Sequence, residues 1–352
     1  MKITGRPNVT NMQNDKTVFV LGAGASYEFG LPIGEQLKEH IAKLLNFDHN
    51  GLNEDDYVSR AINIATHVDR TLDRDLCLQA ARGIRNALPL ALSIDNFIHS
   101  NRHDRYVEMC GKLGIARAIL QAESQSKLFC KDSGRGVDFA GNSKTWLVKL
   151  MQLLSEQCTL QELIERLSNV AFIVFNYDRC LEHFLMHAIA TSYRISPGKA
   201  GEIVRQIAIF HPYGTVGKLP WMRPGSDGVI EFGGMPDTDL YKLSQGIKTF
   251  TEGTDAGDSD ILAIRKAMYD AKRLVFLGYS YHPLNMKLLL DGNPEKKTTR
   301  QVFGTSYGMS ASDTDNIKNT LDSLLFAPSA IVRNDLTCFL LFQEYSRSIG
   351  FN

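Results

Sequence analysis

Three polar residues stand where strand-like apolar runs stop. Asn176 and Asp178 follow Val170-Ala-Phe-Ile-Val-Phe175, and His211 follows Ile207-Ala-Ile-Phe210. An amide can hold a hydroxyl or a water in line, a carboxylate can support developing positive charge, and an imidazole with an ordinary pKa of about 6.5 can remove a proton at neutral pH. Open α/β sheets bind ligands beyond the carboxyl ends of their strands, which is where these three residues fall. Each also has a plainer reading. Asp178 is a candidate N-cap for a helix whose Leu181, Phe184, Leu185 and Ala188 share one face. Asn176 suits a turn, and a lone histidine at a strand end is usually structural.

The residues that would bring a ligand to them lie near the start of the chain. Val18-Phe-Val-Leu21 runs into Gly22-Ala23-Gly24-Ala25-Ser26 and on to Gly30-Leu31-Pro32. Glycines at the end of a buried strand let backbone approach a pyrophosphate, and the N–H groups of the turn and of the helix start behind it supply positive charge. The same turn also serves tight packing of helix on strand. A dinucleotide is the expected ligand, but not in a hydride-transfer enzyme. The acidic residue expected about 20 positions on, after a second strand, is missing, because Gly34 to Phe47 reads as an amphipathic helix through Leu37, Ile41, Leu44 and Leu45.

Two later exits repeat the pattern. Arg273-Leu-Val-Phe-Leu277 ends in Gly278-Tyr279-Ser280, with Asn285 at or before the next helix, and Gln301-Val-Phe303 ends in Gly304-Thr305-Ser306. A glycine followed by a hydroxyl suits a phosphate or ribose contact. The Gly- and Pro-rich stretch from Trp221 to Thr238 reads as a long loop able to cover the cleft. The fold expected is therefore α/β, a Rossmann-like parallel sheet flanked by helices.

Between the first two strands the chain reads as helix, through Tyr57 to Val68, Leu76 to Leu92, Tyr106 to Leu120 and Trp146 to Leu154. This suggests a discontinuous nucleotide domain, 1–47 with 165–352, and a helical insertion over 48–164. Within it Ser93-Ile-Asp-Asn-Phe-Ile98 reads as a capped helix start, and Lys131 to Gly136 as an exposed loop. His99 and His103 have i, i+4 spacing but no accompanying ligand motif, so no metal is expected.

At 352 residues and 43% hydrophobic, the chain can bury a full α/β core. Thirty-nine basic and thirty-nine acidic residues balance, so no global charge draws it to nucleic acid or an anionic membrane. The six cysteines, at 77, 110, 130, 158, 180 and 338, form no C-x-x-C pair and read as reduced thiols. Met1 to Asp15 has no apolar signal core, and no stretch is long and apolar enough to cross a bilayer, so a cytoplasmic protein is expected.

Taken together, Gly22-Ala-Gly-Ala-Ser26 with Gly30-Leu-Pro32, Phe175-Asn-Tyr-Asp178 with Glu182, His211 with Gly214, and Gly278-Tyr-Ser280 with Asn285 resemble the sirtuin-like family, in its bacterial branch of defence-associated NAD hydrolases. The resemblance covers about Lys16 to Phe47 and Val170 to Asn319, and Ser93 to Ile98 is similar to a helical signature of that branch. It implies that NAD is the substrate and that the glycine turn holds its pyrophosphate. Asn176 would then lie beside the nicotinamide ribose, His211 would be the base, and Asp178 would assist. Gly278 with Ser280 would form the later nucleotide-binding turn, and Gly304 with Thr305 would lie near the adenosine end.

The resemblance also implies a homo-oligomer and a separate ATPase, helicase or sensor partner. Two departures matter. Deacylating sirtuins have an acidic-aromatic-arginine segment where Ile33-Gly-Glu35 stands here, and four zinc cysteines that this chain lacks. Pro212-Tyr213 separates His211 from a glycine that normally follows at once. A non-catalytic NAD- or ADP-ribose-binding module, and a protein deacylase or ADP-ribosyltransferase, remain the alternatives.

Overall fold

A computed structural model describes residues 15–351 apart from 49–50, 52, 54, 131–135, 224–227, 237–239, 249–258, 291–299 and 326–328. The crossover from β1 (Thr17–Leu21) to β2 (Val170–Val174) carries α1 (Ala23–Tyr27), α2 (Gly34–Leu44), α3 (Asp56–Val68), α4 (Arg74–Ala87), α5 (Ile94–Ser100), α6 (Arg105–Gln125), α7 (Trp146–Ser155) and α8 (Leu160–Leu167). After β2 come α9 (Cys180–Tyr193), α10 (Pro197–Val204), β3 (Ala208–Phe210), α11 (Leu240–Ser244) and α12 (Ser259–Asp270). The chain ends with β4 (Arg273–Leu277), α13 (Pro283–Leu290), β5 (Gln301–Thr305), α14 (Ala311–Leu325), β6 (Ile331–Arg333), α15 (Cys338–Glu344) and α16 (Ser346–Ile349).

The six strands form one parallel sheet in the order β3-β2-β1-β4-β5-β6. The expected α/β class with a Rossmann-like sheet is thus observed. Strand order reverses between β1 and β4, and the register sets Leu21 level with both Val174 and Leu277. The three central strands therefore release their chains side by side at the switch point, the position where such sheets bind ligands.

Every residue of β1 and of β2 is buried, as helices on both faces require. Alternate side chains point to opposite layers. Val18 and Val20 join Ile41, Leu45, Ile84, Ile98 and Leu113 on one face. Phe19 and Leu21 join Trp146, Leu150, Phe184 and Phe342 on the other. Phe19 stacks on Phe172 at 5.3 Å and on Phe342 at 6.0 Å. The helical segment after Phe47 thus supplies both layers, α3–α6 to the first and α7–α8 to the second.

Local signals account for many boundaries. Thr159 and Glu162 make a reciprocal capping box at the start of α8, and Asp104 caps α6 by accepting from Tyr106 and Val107 N–H groups. Ser93 caps α5 as its sequence suggests, accepting from Asn96 N at 3.0 Å. A fully buried ion pair between Glu123 of α6 and Arg179, the residue before α9, ties these helices together. Arg179 also donates to the carbonyls of Ile230 and Glu231 at 2.7 and 3.0 Å. None of the described helices is long and apolar enough to cross a membrane.

Candidate functional site

Beyond the exits of β1, β2 and β4 lies a cavity of about 870 Å³, near the upper end of the roughly 300–1,000 Å³ typical of small-molecule sites. One wall is the first turn, through Gly22, Ala23, Gly24, Ser26 and Pro32. The second is Asn176, Tyr177 and Asp178 after β2, with Tyr213 beyond β3. The third is Gly278, Tyr279 and Ser280 after β4, with Asn285 in the first turn of α13 and Thr305 at the end of β5. The segment 92–99 closes a further side through Ser93, Asp95 and His99.

Ala25, Gly304 and His211 belong to the expected set but do not line this cavity. The Ala25 carbonyl accepts from the Trp146 indole at 2.7 Å, anchoring α1 to α7. Gly304 is needed for a different neighbour: a Cβ there would fall 2.3 Å from the Tyr281 hydroxyl.

The glycines of the first turn answer to the protein rather than to open space. A Cβ on Gly22 would lie 2.5 Å from the Gly278 carbonyl oxygen, and one on Gly24 would lie 2.7 Å from Gly278 Cα. Gly22 N donates to Leu277 O, and Gly24 N to Gly278 O, at 3.0 Å each. The turns after β1 and β4 are interlocked backbone to backbone, with those two N–H groups already engaged. Gly278 completes the lock at φ +54°, a left-handed conformation that glycine adopts without cost. The Thr305 hydroxyl receives the Gly278 N–H at 2.8 Å.

Asn176 is held from its amide. Its Nδ2 donates to Gly22 O at 3.0 Å and to Ser26 Oγ at 2.9 Å. Both amide protons are spent on the protein, so the carbonyl oxygen Oδ1 is the end left to act on a ligand. Asp178 is not the N-cap its position suggests, since α9 is capped by Arg179; its carboxylate accepts from Cys180 N at 3.0 Å, and Ser26 donates to it as well. Burial pushes the Asp178 carboxyl above the usual range despite these donors.

His211 sits behind Asn176. Its Nε2 lies 2.7 Å from Glu182 Oε1 and its Nδ1 lies 3.3 Å from the Asn176 backbone carbonyl. Both partners are acceptors, so the ring meets them as a donor. Burial opposes charge on Glu182, but His211 beside it, with a backbone N–H and the Lys218 charge, outweighs that and holds the carboxyl below its usual range. Glu182 Oε2 is buried without a hydrogen-bond partner among the described residues.

The residues between His211 and Gly214 shape the cavity wall. Tyr213 swings into the cavity wall, and its hydroxyl donates to Asn285 Oδ1 at 2.6 Å. Gly214, at φ +69°, turns the chain back by donating to His211 O at 3.0 Å. Tyr213 and Tyr279 pack on Phe175 at 5.6 and 5.2 Å, forming an aromatic side to the cavity. Tyr279 borders the cavity, and its hydroxyl is buried with no hydrogen-bond partner among the described residues.

Two residues of the site carried too little signal in the sequence to stand out. Asp95, within the Ser93–Ile98 segment but without a pattern of its own to mark it, accepts a hydrogen bond from the Tyr177 hydroxyl and lines the cavity. Burial raises its carboxyl too. Glu28 borders the cavity and accepts from Trp146 N at 2.9 Å and Phe339 N at 2.7 Å, bridging the starts of α7 and α15. No family model matches the sequence, and no curated protein matches it either. What the site and topology define is the class: a Rossmann-like α/β protein with a cleft at its switch point.

Proposed function

We propose that the protein binds NAD in this cleft and hydrolyses it to nicotinamide and ADP-ribose. The observation that carries the reading is the convergence, on one dinucleotide-sized cavity, of Asn176 with two acidic residues, the buried Asp178 and the half-buried Asp95, and with the aromatic residues Phe175, Tyr213 and Tyr279 in the same walls. A largely apolar cleft with polar groups at few points suits a ligand that is itself part aromatic and part polar.

Breaking the bond from ribose C1′ to nicotinamide leaves an oxocarbenium-like centre and a neutral leaving group. In this reading Asn176 Oδ1 accepts from a ribose hydroxyl or from the attacking water and holds it in line. Asp178 and Asp95 offset the positive charge and take up the proton of water, since carboxyls whose affinity for protons is raised by burial are better acceptors than surface ones. His211, expected as the base, acts instead through Asn176, bracing its backbone carbonyl while Glu182 fixes the ring. The same resemblance gives this chemistry a setting, the depletion of cellular NAD in anti-phage defence.

The test is release of nicotinamide from NAD by the purified protein, with and without co-expressed neighbouring genes. Asn176→Ala should abolish release while leaving NAD binding measurable, and His211→Gln should lower it. Unchanged turnover in Asn176→Ala refutes the site. One observation favours a second reading, a nucleotide-binding module without turnover: the imidazole does not border the cavity, and both its nitrogens are engaged. NAD binding by calorimetry, with no nicotinamide formed under any trigger, would decide for that module.

A further inference from the structure

Away from the cleft, a second group of side chains is brought together by the fold. His183 and His187 stand one turn apart on α9, and Cys130 reaches them from the chain that follows α6. Cys130 Sγ lies 3.8 Å from His183 Nε2 and 4.0 Å from His187 Nε2, and one ligating atom of each residue falls within 4.8 Å of the other two. The histidine rings meet edge to face at 4.6 Å, and Phe232 stacks on His183 at 4.1 Å, fixing that ring from its other side. None of the three borders the cleft.

We propose that Cys130, His183 and His187 form a zinc site with three protein ligands and a fourth position for water. Tetrahedral zinc holds sulfur at about 2.3 Å and imidazole nitrogen at about 2.0–2.1 Å, which sets sulfur and nitrogen ligands roughly 3.6 Å apart. The two sulfur–nitrogen distances exceed that by a few tenths of an ångström, a closure that side-chain rotation can supply. One thiolate with two imidazoles is the donor set of a borderline-soft cation, so zinc is favoured over magnesium or calcium. Cys130 and His187 are half-buried, which leaves room for the fourth ligand.

The proton balance is simple. Zinc displaces the Cys130 thiol proton to solvent. His183 Nε2, which lies 3.1 Å from the Leu128 carbonyl, must carry its proton on Nδ1 instead when the metal binds. The site lies outside what cysteine spacing reveals, because its thiol and its histidines are more than fifty residues apart in sequence and share no motif.

The experiment uses the full chain, stripped with a chelator and titrated with zinc against a chromophoric competitor, then with cobalt. The expected result is one ion per chain and a cobalt spectrum with a thiolate charge-transfer band. Cys130→Ser should remove that band and weaken zinc at least ten-fold, as should His187→Ala, whereas His103→Ala should leave affinity within two-fold. Thermal melting of the metal-free variants checks that they are folded. A wild-type cobalt spectrum without thiolate character, or zinc affinity indifferent to Cys130→Ser, overturns the proposal without reference to NAD turnover.

Discussion

The amide of Asn176 and the hydroxyl of Ser26 are joined at 2.9 Å, and that hydroxyl also serves Asp178. Residues 150 positions apart in the chain are thus one unit, with α1 setting the orientation of the side chain proposed to touch the ribose. Ser26→Ala leaves the Asn176 amide held by Gly22 O alone and removes a donor from a buried carboxylate. We expect a stability loss of about 1–3 kcal/mol. Misplacement of the amide should lower NAD turnover about 100-fold, with little change in KM. Steady-state nicotinamide release beside denaturant melts will separate the two effects, and turnover equal to wild type would refute the coupling.

The Glu182–His211 pair is buried at both ends. Removing one partner of such a pair strands a charge, so His211→Ala should cost about 3–5 kcal/mol of stability. Adding Glu182→Gln removes the stranded charge, and the double variant should recover at least about 1 kcal/mol. Urea unfolding of the four proteins in the cycle measures this. No recovery in the double variant would mean that His211 is held by packing rather than by its carboxylate.

Much of this arrangement was legible before the fold was known. Runs such as Val170 to Val174 and Leu274 to Leu277 are apolar because both faces of the sheet are covered, and their exits mark the switch point. β6 escaped notice because three residues, Ile331-Val-Arg333, give no periodicity to read, and α10 because Pro197 and Gly198 look like a loop. The direction of a side chain is harder still. His211 and Asn176 share a sheet edge by sequence, but only tertiary packing reveals that the imidazole meets Glu182, in the first turn of α9, and does not line the cavity. The glycines at 22 and 24 read as room for phosphate, whereas each is also demanded by the backbone of Gly278.

That interlock predicts a sharp contrast between glycines. Gly278→Ala would place a Cβ 2.1 Å from Ala25 N in a left-handed conformation, so the turns after β1 and β4 would have to separate. A loss of at least about 3 kcal/mol is expected. Gly30 also has a positive φ, of +91°, but nothing lies within 4 Å of its Cβ position. Gly30→Ala should therefore cost only the conformational penalty of about 1–2 kcal/mol. Equal losses in chemical denaturation would show that backbone conformation, and not contact between the turns, sets the requirement.

Asp178 gives the pH dependence. Burial raises its carboxyl above the value it has in the unfolded chain, so between those two values the folded state binds more protons than the unfolded. The contribution of this group to stability is therefore fully present below the unfolded value, falls as pH rises through the folded value, and is lost above it. Asp178→Asn keeps an oxygen to accept the Cys180 N–H, and the Ser26 hydroxyl can rotate to meet the new amide. The variant should be more stable than wild type at pH 7 by about 1 kcal/mol, with the advantage shrinking toward pH 4. NAD turnover should fall at both pH values, because the substitution removes a charge proposed to face the oxocarbenium centre. Paired urea melts at pH 4 and pH 7 provide the check, and an advantage that grows on acidification would show that the buried carboxylate is stabilised in its charged form.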